Sequence, residues 1–210
     1  SNPTGTVLDD RQLAELCQWA GARGVRLLAD EIYHGITYDE PAPTVLAHAD
    51  DVIVLNSFSK YFSMTGWRLG WVVAPPAMAE AIERLAQSLT VAPPTLSQLA
   101  AQAAFDCTEE LDRNVARYRH NRQILLDGLP AAGIDRLAPA DGAFYVWADV
   151  SHQSDDAQLL CRRWLDELGI AATPGLDFDT ARGHRFVRFS YAGAPDDLSE
   201  AMERLGRFRP

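Results

Sequence analysis

One lysine lies where an apolar run meets a segment rich in hydroxyl groups. In SFSKYFSMTGWR, residues 57–68, Lys60 follows Ser57 and Ser59 and precedes Arg68 by eight positions. A neutral amine held in a pocket is a nucleophile and can also serve as a general base. The two serines and the guanidinium suit a phosphate group, which they bind through charge-assisted hydrogen bonds. A surface lysine that begins a loop, with Arg68 in a salt bridge, is the alternative interpretation.

A carboxylate ends the preceding apolar run. VRLLAD, residues 25–30, terminates in Asp30, and Tyr33 follows three positions later. In open parallel α/β sheets, ligands bind beyond the carboxyl ends of the strands, so we expect Asp30 and Lys60 to face one crevice. A helix cap is the alternative for Asp30, because aspartate is favoured in that role.

An arginine lies inside a third apolar run. In HRFVRFSYA, residues 184–192, the alternation of a strand places Arg188 on the face opposite Val187 and Phe189. A charged group in such a setting is paired or functional, because an unpaired buried charge is costly. A clamp for a substrate carboxylate and a structural salt bridge are both open interpretations.

Apolar periodicity predicts the elements that position these residues. Leu13, Leu16, Cys17 and Ala20 recur at the spacing of a helix. Continuous apolar strands with a helical pattern beside them favour a parallel sheet covered on both faces. The predicted strands are 25–30, 51–57, 69–75, 142–150, 169–175 and 184–192, and the later predicted helices are 77–90, 95–105, 108–129, 155–168 and 195–207.

The sequence therefore predicts an α/β fold in two domains. Residues 1–112 are expected to form part of a large domain, with a mainly parallel sheet and helices on both faces. Residues 113–210 are expected to form a smaller α+β domain, and the long helix near 108–129 connects the two. The chain opens on a turn, NPTG, with no element before it, so we expect it to be the C-terminal part of a longer chain.

Composition excludes several classes of function. The 210 residues carry a formal net charge of −10, which gives no general attraction to nucleic acid or anionic membranes. The three cysteines, an odd number without a CxxC pair, favour a reducing compartment and hence a cytoplasmic protein. The five histidines show no metal-ligand spacing, so no metal site is predicted.

Five short blocks occur along the chain, and together they carry a resemblance. They are NPTG (2–5), DEIY (30–33), SFSK (57–60), GWRLGW (66–71) and RFS (188–190). In order and spacing they resemble the fold-type I aminotransferases of the class I/II branch, which use pyridoxal 5′-phosphate (PLP). The resemblance covers the whole chain, and it implies part of a PLP-transferase large domain followed by the small domain.

The resemblance implies roles around the cofactor ring. Lys60 would form the Schiff base with PLP and later move the α-proton of the substrate. Asp30 would pair with the pyridine nitrogen, and Tyr33 and Asn2 would hydrogen-bond to the phenolic oxygen. Members of the family often have a cis peptide at the position that matches Asn2–Pro3, where such a bond is least costly.

The remaining matches imply contacts to the phosphate and to the substrate. Ser57, Ser59 and Arg68 would contact the phosphate of PLP. Arg188 would hold the α-carboxylate of the substrate, with Asn2 as a further substrate contact.

The implied activity is the transfer of an amino group between an amino acid and a 2-oxo acid, by an enzyme that is a homodimer at full length. A PLP-dependent carbon–sulfur β-lyase uses the same lysine, aspartate and arginine, and a non-catalytic sensor domain of a regulator is a third interpretation. The segment around Pro93 and Pro94 has no arginine for a second carboxylate, which argues against strict dicarboxylate specificity. Because the family supplies the rest of the phosphate site from upstream residues, we expect residues 1–210 alone to be poorly active.

Overall fold

The computed structural model describes residues 1–209, which divide into two compact units. The lysine unit comprises Leu8–Arg113 and contains Lys60. The arginine unit comprises Ser1–Val7 together with the chain from Asn114 onward, and it contains Arg188. The division falls inside a long helix, while the assignment of domains to 1–112 and 113–210 stays a prediction.

The lysine unit contains a three-stranded sheet with the order β1-β2-β3. β1 and β2 are parallel, and β3 is antiparallel to β2. No helix of residues 1–209 is long and apolar enough to cross a membrane. The elements of the lysine unit are α1 (Asp10–Gly21), β1 (Leu27–Asp30), β2 (Val52–Ser57), β3 (Gly70–Val73), α2 (Pro76–Thr90), α3 (Thr95–Ala104) and the start of α4 (Thr108–Ala131).

Local hydrogen bonds fix where α1 begins. The Asp9 side chain accepts from the Gln12 N–H at 2.7 Å, and the Gln12 side chain accepts from the Asp9 N–H at 3.0 Å. This capping box satisfies two backbone donors that a helix start otherwise leaves unpaired. The apolar face of α1 then buries Leu13 and Cys17 in a cluster with Val45 and the β2 valines.

A second apolar cluster lies next to the segment that follows β2. Phe58, Met64 and Ala101 are buried together, and the Phe58 ring packs 4.8 Å from Phe62 and 5.5 Å from Phe105, centroid to centroid. Elsewhere the unit exposes much apolar surface: α2 has no buried residue, and Leu89 is 79% exposed. Burial in the lysine unit is therefore concentrated around α1, β2 and the Lys60 segment.

The arginine unit contains a four-stranded antiparallel sheet with the order β4-β5-β7-β6. Asn121 of α4 is fully buried and donates to the carbonyls of Tyr191 at 2.8 Å and Gly193 at 2.9 Å, which fixes this helix against the end of β7. The elements are β4 (Arg136–Leu137), β5 (Tyr145–Asp149), α5 (Ala157–Arg163), β6 (Thr173–Pro174), β7 (Phe186–Ser190) and α6 (Pro195–Arg207).

The predicted alternation of β7 is confirmed. Val187 and Phe189 are buried, and Trp164 packs against the Phe189 ring at 5.6 Å. Arg188 is half-buried on the opposite face of the strand. The sequence did not predict β4, because two residues are too few to show a period of two. The structure also places the 164–168 part of the predicted helix in a π-helical segment that continues α5.

We expect Gly175→Ala to destabilise the arginine unit. A Cβ at Gly175 would lie 2.5 Å from the carbonyl oxygen of Gly183 and 2.8 Å from that of Phe186, and backbone atoms cannot move aside cheaply. Overpacking of this kind costs about 1–3 kcal/mol of unfolding free energy. Gly193→Ala is the matched control, because a Cβ there meets nothing within 4 Å. Urea denaturation followed by circular dichroism measures both, and equal midpoints for the two variants would contradict the prediction.

Candidate active site

Lys60 lies in a turn that is anchored at both ends. The Phe58 N–H donates to the Leu69 carbonyl at 3.1 Å, and the Met64 N–H donates to the Phe58 carbonyl at 3.0 Å. Within the turn, the Ser63 N–H donates to the Lys60 carbonyl at 2.9 Å. Because the side chains of Phe58 and Met64 are buried, the backbone that carries Lys60 is fixed by the core and not by solvent contacts.

The amine of Lys60 lies over an aromatic ring from the end of the neighbouring strand. Its Nζ is 5.8 Å from the centroid of the Tyr33 ring. Asp30 ends β1 and is paired in parallel register with Leu55, so β1 and β2 open at the same edge of the sheet. The Asp30 Oδ1 atom accepts from the Ile32 N–H at 3.1 Å, and this side chain is therefore turned back over its own loop.

Ser57 and Ser59 form a hydroxyl pair. The Ser57 Oγ lies 2.9 Å from the Ser59 Oγ and 3.1 Å from the Leu69 carbonyl oxygen, and it accepts from the Ser59 N–H at 3.0 Å. A hydroxyl has a single proton, so Ser57 can donate to only one of these two oxygens. When it donates to Ser59, the Ser59 proton is available for an anionic ligand.

Arg68 has an unusual backbone conformation for a residue with a side chain. Its φ of 53° and ψ of 50° lie in the left-handed region, which costs a non-glycine residue about 1–3 kcal/mol. The Arg68 Nη1 donates to the Thr65 carbonyl at 3.0 Å, and the Thr65 hydroxyl donates to the Ser59 carbonyl at 2.6 Å. Such strain clusters at ligand-binding positions, and here two hydrogen bonds connect Arg68 through Thr65 to the Ser59 backbone.

The residue after Lys60 joins this turn to α4. The Tyr61 hydroxyl donates to the Asp112 Oδ1 at 2.7 Å. Burial, followed by the hydrogen bond to Asp112 and its negative charge, raises the pKa of Tyr61 to about 12. Tyr61 therefore stays protonated at neutral pH and acts as a hydrogen-bond donor, not as a base.

In the arginine unit, Arg188 is held on two sides by aromatic rings. Its guanidinium carbon lies 4.4 Å from the Tyr145 centroid and 4.6 Å from the Phe178 centroid, within the range of cation–π attraction. The Nη1 donates to the Asn2 side chain at 2.8 Å, and the Nη2 donates to the Thr173 hydroxyl at 3.3 Å.

Arg188 also has an unsatisfied donor. Within residues 1–209 its buried Nε has no hydrogen-bond partner, and the side-chain partners of its Nη atoms, Asn2 and Thr173, are uncharged. The structural salt bridge that the sequence left open is thus absent from this part of the chain. A buried N–H without an acceptor is costly, so the bonding of Arg188 is incomplete within this part of the chain.

The NPTG turn positions Asn2. The Gly5 N–H donates to the Ser1 carbonyl, and the Gly5 carbonyl accepts from the Gly142 N–H, both at 2.8 Å. The Asn2–Pro3 peptide is cis, as the resemblance implies. Of the predicted site residues, the lysine unit contains Asp30, Tyr33, Ser57, Ser59, Lys60 and Arg68, and the arginine unit contains Asn2 and Arg188.

Sequence reasoning missed several partners of these residues. Thr173, Tyr145 and Phe178 surround Arg188 but lie in different strands and loops, so no spacing in the sequence links them. Tyr61 and Asp112 are separated by 51 residues, and only the fold brings them together.

Comparison with known proteins identifies the family. Residues 1–205 match the family described as aminotransferase class I and II. The chain belongs to this family. Valine–pyruvate aminotransferase of Mycobacterium tuberculosis is 49% identical over 214 residues, covering 100% of this chain and 55% of that protein. Aspartate/prephenate aminotransferase of Thermus thermophilus is 36% identical over 216 residues, covering 99% and 54% respectively.

Solved aminotransferase structures confirm the fold class. An aminotransferase from Mycobacterium tuberculosis matches with a TM-score of 0.95 at 49% identity, over 98% of this chain and 54% of that one. A Thermus thermophilus aspartate aminotransferase mutant matches with a TM-score of 0.91 at 32% identity, over 99% and 57%. The chain is thus a partial α/β aminotransferase fold, and it spans about half the length of the relatives that it matches.

We expect alkaline destabilisation that depends on Tyr61. The unfolded chain loses this proton near the ordinary pKa of 10.0, whereas the folded protein keeps it to about 12. The stability from the Tyr61–Asp112 bond is therefore present below pH 10 and is lost as the pH rises toward 12. The urea midpoint should fall less in Tyr61→Phe than in the wild type over this interval. Parallel pH dependences of the two proteins would contradict the prediction.

Proposed function

We propose that this chain is part of a PLP-dependent aminotransferase, which moves an amino group between an amino acid and a 2-oxo acid. The observation that carries the proposal is the position of the Lys60 amine, 5.8 Å from the Tyr33 ring, beyond the paired ends of two parallel strands. Membership of the aminotransferase class I and II family supports it. The activity, substrates and partners of the whole protein are part of this proposal, because the chain spans only about half of its relatives.

The donors of the lysine unit fit the chemistry of PLP. Lys60 would attach the cofactor covalently through its amine, and the Asp30 carboxylate would face the ring nitrogen. Tyr33 would donate to the phenolic oxygen. The phosphate would be bound by the hydroxyl pair and the strained arginine that follows it, namely Ser57, Ser59 and Arg68. When bound, PLP supplies a ring that accepts the electron pair left at Cα when the substrate loses its α-proton.

Each residue then has a defined task. The Lys60 amine, once released from covalent attachment, would take the proton from the substrate Cα as a general base. It would later return this proton as a general acid. The Asp30 carboxylate only accepts hydrogen bonds when ionised, so it would hold a proton on the nitrogen that faces it. The Tyr33 ring beneath Nζ would limit the directions in which the amine can move.

Arg188 would bind the α-carboxylate of the substrate. Its ring contacts and its bonds to Asn2 and Thr173 fix the guanidinium before substrate arrives, so little ordering entropy is lost on binding. A guanidinium has five N–H donors, so Nη1 and Nη2 each keep an N–H beyond their bonds to Asn2 and Thr173, and a carboxylate would accept from these.

One of the relatives described above suggests the first substrates to test. It is a valine–pyruvate aminotransferase at 49% identity, so we propose valine as amino donor and pyruvate as acceptor. The absence of an arginine near Pro93 and Pro94 agrees with monocarboxylic substrates.

Assembly and location belong to the same proposal. We propose a homodimer, which the exposed apolar residues of α2 and α3 support because such surface favours burial against another polypeptide. We also propose a cytoplasmic location, which the free thiols of Cys17, Cys107 and Cys161 support. Light scattering of the complete gene product tests the dimer.

The function is tested on the complete gene product. The protein reconstituted with PLP should show a visible absorbance band that valine bleaches with release of the 2-oxo acid, and pyruvate should restore the band. Lys60→Ala should lose covalent attachment, so borohydride reduction followed by mass spectrometry should find no PLP on its peptide 57–68. Ammonia and pyruvate released from a cystathionine-type substrate, without transfer, would instead indicate a β-lyase.

A matched pair of arginine variants tests the carboxylate clamp. Arg188→Lys should lower kcat/KM for valine by about 10- to 100-fold, because a bond to a charged group contributes roughly 1.5–3 kcal/mol. Arg185→Lys is the control, since Arg185 lies three residues before Arg188, is exposed, and pairs with Asp149. Equal kinetics for the two variants would refute the role of Arg188.

A further inference from the structure

Glu31 is a buried acid between two of the predicted cofactor residues. It is 9% exposed, whereas Asp30 before it is exposed and Tyr33 after it is half-buried. A buried carboxylate is tolerated only where hydrogen bonds replace its hydration. The proposed reaction assigns no role to this side chain, so the burial needs its own explanation.

Hydrogen bonds to the Glu31 carboxylate come from a separate segment of the chain. The Thr44 hydroxyl lies 3.0 Å from both carboxylate oxygens, and the Val45 N–H donates to Oε1 at 2.9 Å. The His34 Nδ1 lies 3.4 Å from Oε2. Both oxygens therefore have donors within reach, and the carboxylate joins residues 30–34 to residues 44–45.

Both segments joined by Glu31 are themselves anchored. Val45 is 1% exposed and packs in the cluster that contains Val52 and Val54 of β2. The Glu31 N–H donates to the Leu55 carbonyl at 2.9 Å and so extends the pairing of β1 with β2. The loop that follows is closed by the Ile36 N–H, which donates to the Tyr33 carbonyl at 2.9 Å.

We propose that Glu31 is a positioning residue that fixes Asp30 and Tyr33 relative to Lys60. The backbone bond to Leu55 fixes the position of Glu31 along β2. The carboxylate bonds to Thr44 and Val45 fix the direction in which the loop leaves the sheet. This inference rests on the proposed function, because the position of Tyr33 matters only if a ligand is held between it and Lys60.

Glu31→Gln removes the negative charge of the side chain while keeping its size. Glutamine has nearly the same size, but its amide group offers one oxygen and one pair of N–H donors. A glutamine can keep Oε1 as the acceptor for Thr44 and Val45, but it removes the negative charge that strengthens both bonds, and it places an NH2 group where Oε2 lies beside His34. Glu40→Gln is the matched control, because Glu40 is an exposed acid nine residues later.

The experiment measures cofactor affinity and the pH midpoint of the visible band on the complete gene product. We expect Glu31→Gln to raise the dissociation constant of PLP about tenfold, the size of a lost charge-assisted bond. Because Tyr33 would donate less well to the phenolic oxygen, the pH midpoint of the band should also rise. Glu40→Gln should match the wild type in both measurements.

Two further variants decide the case in which Glu31→Gln fails to fold. Thr44→Val keeps the carboxylate and removes one of its donors, and it should change affinity and midpoint in the same direction. Thr44→Ser keeps the hydroxyl and should restore wild-type values. Lower thermal stability of the Glu31 or Thr44→Val variants, with unchanged affinity and midpoint, would overturn the positioning role.

The same measurements distinguish this proposal from the function on which it rests. A wild-type protein that forms no visible band with PLP would overturn the proposed function, and the role of Glu31 with it. A normal wild-type band that is unchanged in Glu31→Gln would overturn the role of Glu31 alone.

Discussion

The parallel pairing of β1 with β2 is the constraint on which the lysine unit depends. Its register joins Leu27 to Val52 and Asp30 to Leu55, so both strands end at the same edge of the sheet. Only parallel strands present their carboxyl ends together, which is why Asp30 and the segment after Ser57 lie at one edge of the sheet. A slip of one residue would turn every side chain of a strand to the other face.

Charged groups are held in two different ways in this chain. Lys60 lies on a turn whose backbone is fixed by the buried Phe58 and Met64, and its Nζ lies 5.8 Å from the centroid of the Tyr33 ring. Arg188 is fixed at its guanidinium, by two rings and by bonds to Asn2 and Thr173. The ordering of Arg188 suits the carboxylate-binding role proposed for it, because a group that is ordered in advance loses less entropy on binding.

Sequence reasoning predicted the elements well where the apolar pattern was long. The strands near Asp30 and Ser57, the helix after Asp9 and the face of Arg188 follow from periodicity and capping, which are local properties. The antiparallel direction of β3 was not predicted, because the sequence of a strand does not state the direction of its neighbour. The left-handed backbone of Arg68 was also unforeseen, since strain at a non-glycine residue is maintained by surrounding contacts.

The sequence by itself determined which chemical groups are present and in which order, from the amine of Lys60 to the guanidinium of Arg188, and it determined the family to which the chain belongs. Only the tertiary structure decided which distant groups support them. Thr44 reaches Glu31, Asp112 reaches Tyr61, and Phe178 covers Arg188, although no spacing connects these residues. The reason is physical: local propensity acts over a few residues, whereas satisfying a buried charge depends on whatever the fold brings within hydrogen-bond distance.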